Sequence, residues 1–78
     1  MVIVYKYFEI ESTSEQQLET KNWTTSVNII KNYGSHNITK KFCNDNTYST
    51  KEEADKYSII FGQQIIDGSQ KGLSVADM

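Results

Sequence analysis

The segment from Tyr48 to Gly68 constrains the fold of this chain more than any other, because it carries both the start and the stop signals of one helix. Thr50-Lys51-Glu52-Glu53 has the Ser/Thr-x-x-Glu spacing of a capping box. In that motif the threonine hydroxyl takes the Glu53 backbone N–H, and the Glu53 carboxylate reaches back to the Thr50 N–H. Gly68 stands where a left-handed residue closes a helix. At about 100° per residue, Ala54, Tyr57, Phe61 and Ile65 share one face, with Ile60 at its margin. Each large member contributes ~1.5–3 kcal/mol on full burial, so this face is expected to hold the helix to its support. Ile59 and Ile66 fall on a second stripe beside Ser58 and Gly62, which needs a cover of its own.

The upstream half supplies that support as strands. Residues 2–11 read as a first strand, with Val2, Val4, Lys6, Phe8 and Ile10 on one row and Ile3, Tyr5, Tyr7, Glu9 and Glu11 on the other. Both rows are apolar at first, so this strand has two greasy faces there. Residues 12–22 are polar and read as a loop anchored by Leu18. Residues 23–31 form a second strand, in which Trp23, Thr25, Val27 and Ile29 alternate with Thr24, Ser26 and Asn28, the pattern of a half-buried antiparallel strand. Asn32-Tyr33-Gly34-Ser35 is a turn. Residues 37–43 form a third strand with Ile38 and Phe42 inward and Lys40 between them, and Asn44-Asp45-Asn46 is a second turn. After the helix, two readings of the tail stay open: it folds back, or it begins a short terminal helix capped by Ser74. The expected fold is α+β, a single domain over residues 1–78: a three-stranded antiparallel meander with one long C-terminal helix across one face.

Composition narrows the function classes. At 78 residues the chain buries only about 60–65% of the surface exposed on unfolding, which is marginal without staples. Its one cysteine, Cys43, has no internal partner, which suits a reducing compartment. Lys6 interrupts the apolar start and no small-residue cleavage site follows, against a signal peptide. No run approaches the ~18 apolar residues of a membrane span. The expectation is a cytoplasmic protein that does not enter membranes. Net charge is −2, and all eight basic residues are lysine. Without guanidinium forks, bidentate grip on phosphate is missing, which argues against nucleic acid. The absence of proline and the wealth of Asn, Lys, Ile, Ser and Thr carry no functional weight.

The residues that can carry chemistry have plainer readings. His36 sits in a turn, and no HxxE, HxH or CxxC spacing offers it a metal or catalytic partner. Cys43 ends the third strand, and Lys40 and Lys41 beside it alternate faces, so it reads as structural rather than as an activated thiolate. Asn44-Asp45-Asn46 lacks the glycine and the twelfth-position glutamate of a calcium loop. Glu9, Glu11, Glu15 and Glu19 are scattered, while Glu52 and Glu53 serve the first helical turn. Asp67 opposes the helix dipole, and a local bond to the N–H of Ser69 or Gln70 would offset this. Asn22-Trp23-Thr24 and Asn37-Ile38-Thr39 match the glycosylation pattern by chance in a chain so rich in Asn and Thr. Lys31, Lys40 and Lys41, with Lys51 and the nearby Tyr33 and His36, form a candidate polyanion strip. No catalytic residue, cofactor or metal is implied.

Tyr48-Ser49-Thr50-Lys51-Glu52-Glu53-Ala54, then Gly62-Gln63-Gln64-Ile65-Ile66-Asp67-Gly68 and Gly72-Leu73-Ser74-Val75, resemble the helix and tail of small uncharacterised bacterial proteins. Those have a tryptophan-bearing strand, a "T-K/R-E-E-A" helix start and an "I-D-G" helix end. HlyU-type proteins, some labelled transcriptional activators, are distantly similar over the helix only. The resemblance implies a bacterial origin and a β-β-β-α order. It transfers no catalytic residue.

Two surplus apolar surfaces remain. One is the row of Ile3, Tyr5 and Tyr7 on a strand at a sheet edge, and a long apolar edge invites pairing. The other is the stripe of Ile59, Gly62 and Ile66, where Gly62 permits close approach. The expected function is non-enzymatic: homodimerisation through first strands or through the helix stripe, or binding of another protein. A nucleic-acid-associated regulator using the lysine strip is the alternative.

Overall fold

The computed structural model describes residues 1–76 and 78. Four strands and one helix follow in order: β1 (Val2–Tyr5), β2 (Phe8–Ser12), β3 (Trp23–Asn32), β4 (Asn37–Tyr48) and α1 (Lys51–Ile66). The strands form one antiparallel sheet in the order β1-β2-β3-β4, and α1 lies mainly across β3 and β2. The α+β meander with a helix on one face is as expected, but it has four strands rather than three.

The extra strand arises inside residues 2–11. Tyr5 pairs with Phe8, so Lys6 and Tyr7 form a two-residue hairpin turn. Such turns require positive φ, and Lys6 supplies it at 53°. A non-glycine residue in that region costs roughly 1–2 kcal/mol, and no Gly, Asn or Asp marks the turn in the sequence. The ammonium of Lys6 is held from outside by the carboxylate of Asp67 beyond the helix.

The second departure is β4. Asn44-Asp45-Asn46 was expected to turn but continues the strand to Tyr48. Thr24 pairs with Thr47 while Thr25 pairs with Asn44, so Asp45 and Asn46 are accommodated as a bulge. The Thr25 hydroxyl donates to the Asn46 carbonyl at 2.9 Å, bracing it. Pairing with β3 on either side carries the strand through, and the turn preference of these residues survives as the bulge, where Asn44 Oδ1 accepts the Asn46 N–H.

The helix boundaries are as expected. The Thr50 hydroxyl accepts the Glu53 N–H at 3.2 Å. The return arm differs, because the Glu53 carboxylate bonds the Thr50 hydroxyl rather than its N–H. At the far end Gly68 has φ 78°, and the N–H groups of Gly68 and Ser69 donate to the Ile65 and Gln64 carbonyls.

The buried face of α1 is rotated from the expected one. Ala54, Asp55, Ser58, Ile59, Phe61, Gly62 and Ile65 are buried, whereas Tyr57 is 40% exposed. The small residues of the supposed second stripe are therefore its contact line with the sheet. At Gly62 a Cβ would fall 2.7 Å from Ile10 Cγ2, so the glycine is what lets the helix approach. Ile10, Val27 and Ile29 from the sheet meet Ile59, Phe61 and Ile65 from the helix. Ile3, Tyr5, Phe8, Phe42, Ile66, Leu73, Val75 and Met78 pack around them. The tail thus folds back on the core and shows no helix among its described residues, and Ser74 accepts the Ala76 N–H locally. Leu18 anchors nothing, being 96% exposed. Ile38 stands on the same side as Phe42 but beyond α1, and is exposed.

Candidate functional site

The edge strand β1 is the first candidate, and its orientation corrects the expected one. Ile3 pairs with the fully buried Ile10 and, with Tyr5, packs on the core. The row that points away from the helix is Val2 and Val4, 55% and 75% exposed. Tyr7 is exposed at the hairpin tip. The Ser12 N–H donates to the Met1 carbonyl at 2.9 Å, so Met1 and Ser12 form a bonded pair of the antiparallel ladder. Bonded pairs alternate, which makes Ile3 and Ile10 the next one. The N–H and C=O of Val2 and Val4 therefore point out of the sheet, along a free edge that bears no charge between Met1 and Tyr5.

The other edge, β4, is armoured. It carries Lys40, Lys41, Asp45 and the bulge, all devices that discourage strand addition. Lys40 lies opposite the buried Ile29 and Lys41 opposite Asn28, so they fall on different faces of the sheet. Lys31 shares the helix side with Lys40, and its ammonium lies over the rings of Phe8 and Tyr33. The sheet thus divides the lysine strip of Lys31, Lys40 and Lys41 between two surfaces.

The helix stripe expected to face a second molecule is used internally. Ser58 is wholly buried, Ile59 nearly so, and Gly62 sits on Ile10 and Val27. Ile66 packs at the margin of the core.

Asp67 and Asp55 are the two carboxylates with built environments. Asp67 accepts from the Tyr5 hydroxyl at 2.8 Å and from the Lys6 ammonium, instead of from Ser69 or Gln70. The Lys6 bond, then the Tyr5 bond, holds its pKa below the ordinary value. The same contacts raise the Tyr5 phenol and the Lys6 ammonium. This clamp ties the β1–β2 turn to the end of the helix. Asp55 is buried, which pushes its pKa up, but bonds from Lys51 and Ser12 and the nearby positive charges outweigh this and leave it lowered. The hydroxyls of Thr13 and Ser26 are bonded to each other, as are those of Ser14 and Ser58, and the Ser26 backbone N–H donates to the Ser58 hydroxyl.

Of the remaining sequence candidates, His36 stands apart, while Cys43 lines a shallow depression with Lys41 and Glu15. His36 is stacked on Tyr33, with centroids 5.2 Å apart. Seven positions of extended chain, at roughly 3.3 Å each, place it about 23 Å from Cys43. Cys43 is exposed on the open face of the sheet, opposite Ser26. No metal-holding group of His, Cys, Asp and Glu occurs among the described residues, and none of their helices is long and apolar enough to cross a membrane.

One surface was not foreseen. A depression of about 450 Å³ lies between the β4 bulge and α1, lined by Thr25, Asn44, Asn46, Tyr48, Tyr57, Ile60, Phe61, Gln64 and Gln70. Tyr48 and Tyr57 are stacked in it, 4.8 Å between centroids and 11° between planes. The bulge that builds one wall carries no periodic signal, so the sequence pattern hides it.

No protein-family model matches this chain, and neither a curated protein nor a solved structure matches it.

Proposed function

We propose that this protein is a non-enzymatic association module that works as a homodimer in the cytoplasm, joined through its β1 edges. The observation that carries the reading is the uncharged free edge of β1, with exposed Val2 and Val4 on it. Antiparallel partners directly opposite each other share a face, so a two-fold pairing must match residues of like parity. Centring the axis on Ile3 sets Val2 against Val4 of the second copy and Ile3 against Ile3. Val2 and Val4 then exchange the backbone bonds that each leaves free, and the result is one eight-stranded sheet. The same operation on β4 would bring Lys40 and Lys41 close to their own copies, which is repulsive. The cytoplasmic placement rests on the unpaired Cys43. The division of Lys31, Lys40 and Lys41 between two faces favours this reading over a nucleic-acid regulator that would use them as one strip.

Sedimentation equilibrium from low micromolar to millimolar protein tests the proposal. Wild type is expected to dimerise, and Val4→Lys to sediment as a folded monomer, because a charge at that position opposes pairing. Lys41→Glu should leave association unchanged. A wild-type monomer throughout, or a dimer indifferent to Val4→Lys, overturns it.

A further inference from the structure

The groove between the β4 bulge and α1 lies at the opposite edge of the sheet from β1, so its use is independent of dimerisation. Three elements build it. The bulge brings Asn44 and Asn46 to the same depression, the helix contributes Tyr57, Ile60, Phe61 and Gln64, and the turn after Gly68 returns Gln70. Gln70 Nε2 donates to Gln64 Oε1 at 2.7 Å, which fixes both amides at the rim. Asn44 Oδ1 accepts the Asn46 N–H at 2.9 Å, which fixes Asn44 and leaves its amide nitrogen to donate.

The lining is notable for its chemistry. The chain carries eight basic and ten acidic residues, yet none of the described ones lines this groove. A charged ligand would lose hydration here with no counter-charge in return. Asn and Gln each offer donors and an acceptor, so they match groups that both give and take hydrogen bonds. Tyr48 and Tyr57 add aromatic surface with a hydroxyl at each tip. The volume falls within the ~300–1,000 Å³ of small-molecule sites. A ligand with hydroxyls around its rim and C–H groups on its faces satisfies both parts of this lining at once. We infer that the groove binds a neutral saccharide, with Asn44, Asn46, Gln64 and Gln70 bonding its hydroxyls and the tyrosine pair packing against a ring.

The test is a titration of the intact protein, labelled with ¹⁵N, with glucose, N-acetylglucosamine and cellobiose, followed by backbone and side-chain amide shifts. The expected result is a saturable response to at least one of them, centred on the side-chain amides of Asn44, Asn46, Gln64 and Gln70 and insensitive to salt. Asn46→Ala, at an exposed position, should weaken that binding by about tenfold, the scale of one lost hydrogen bond. Tyr57→Ala should weaken it by a similar factor with the spectrum otherwise folded. No saturable response to any of the three sugars, a response centred on other residues, or binding unchanged in Asn46→Ala overturns the inference. Saturation by an uncharged tripeptide but not by the sugars would overturn it as well, since the groove would then be reading peptide groups.

Discussion

The Ser58 hydroxyl accepts the backbone N–H of Ser26 at 3.2 Å, so a helix side chain takes a place that a strand carbonyl ordinarily fills. The cause lies in β2. Thr13 still donates its N–H to the Ser26 carbonyl, but the regular strand ends at Ser12. Ser26 is only 5% exposed, and a buried N–H without a partner is costly. Ser58, itself wholly buried, supplies the acceptor and is in turn bonded to Ser14 at 3.1 Å. The helix is thus stitched to the sheet by a hydroxyl as well as by apolar contact.

Ser58→Ala should therefore destabilise the fold by ~1–3 kcal/mol, the cost of stranding a buried donor. Ser14→Ala should cost less, because the Ser58 oxygen remains to accept the Ser26 N–H. Urea denaturation measures both. Amide exchange at Ser26 should quicken in the first variant beyond what the global change explains.

Gly62→Ala should lower stability by about 1 kcal/mol. A methyl group 2.7 Å from Ile10 Cγ2 overpacks the contact, worth ~1–3 kcal/mol, and the gain in helix propensity of ~1 kcal/mol offsets only part. Ile10→Leu removes the branch at that point. In that background the same alanine should cost less, and a double-mutant cycle reads the difference.

Thr50→Ala should cost about 1 kcal/mol, and Thr50→Ser much less. The threonine hydroxyl holds the Glu53 N–H at the helix start, and serine keeps that acceptor. Helical ellipticity during thermal melting follows both variants.

Stability should fall at both extremes of pH. Asp55 and Asp67 have folded pKa values below the ordinary carboxylate value of about 4, so their contribution is complete above it and is lost as pH falls through the lowered values. Tyr5 and Lys6 have folded values above their ordinary ones near ~10. Their contribution is complete below that and is lost as pH rises through the raised values. Asp67→Asn should flatten part of both limbs, since it removes one lowered carboxylate and the partner that raises Tyr5 and Lys6. The urea midpoint across pH measures both, and unchanged limbs would deny the clamp any energetic role.

Where the residues themselves fix local geometry, the sequence was readable. Thr50, Glu53 and Gly68 set the ends of α1, because capping involves groups only a few residues apart. The alternation around Val27 and Ile29 set β3, because the pleat turns sequence parity into a face. Cross-chain forces hid the rest. The Lys6 turn has no local marker and is held by Asp67, sixty-one positions away. Asn44-Asp45-Asn46 keeps a local bend as a bulge, but the pairing of Asn44 and Thr47 with β3 carries the strand through it. The saccharide groove joins a bulge, a helix face and a returning turn, which no single window of sequence contains.

The amino-acid order by itself determined that a capped helix would close an antiparallel meander, since those signals are short-range and periodic. Only the tertiary structure decided which stripe of the helix faces the sheet. Hydrophobicity favoured the side with Tyr57, but close approach favours the small residues Ser58 and Gly62, because dispersion contact is lost steeply as two surfaces part. The pairing of Ile3 with the buried Ile10 likewise left Val2 and Val4, rather than Ile3 and Tyr5, at the open face of the sheet.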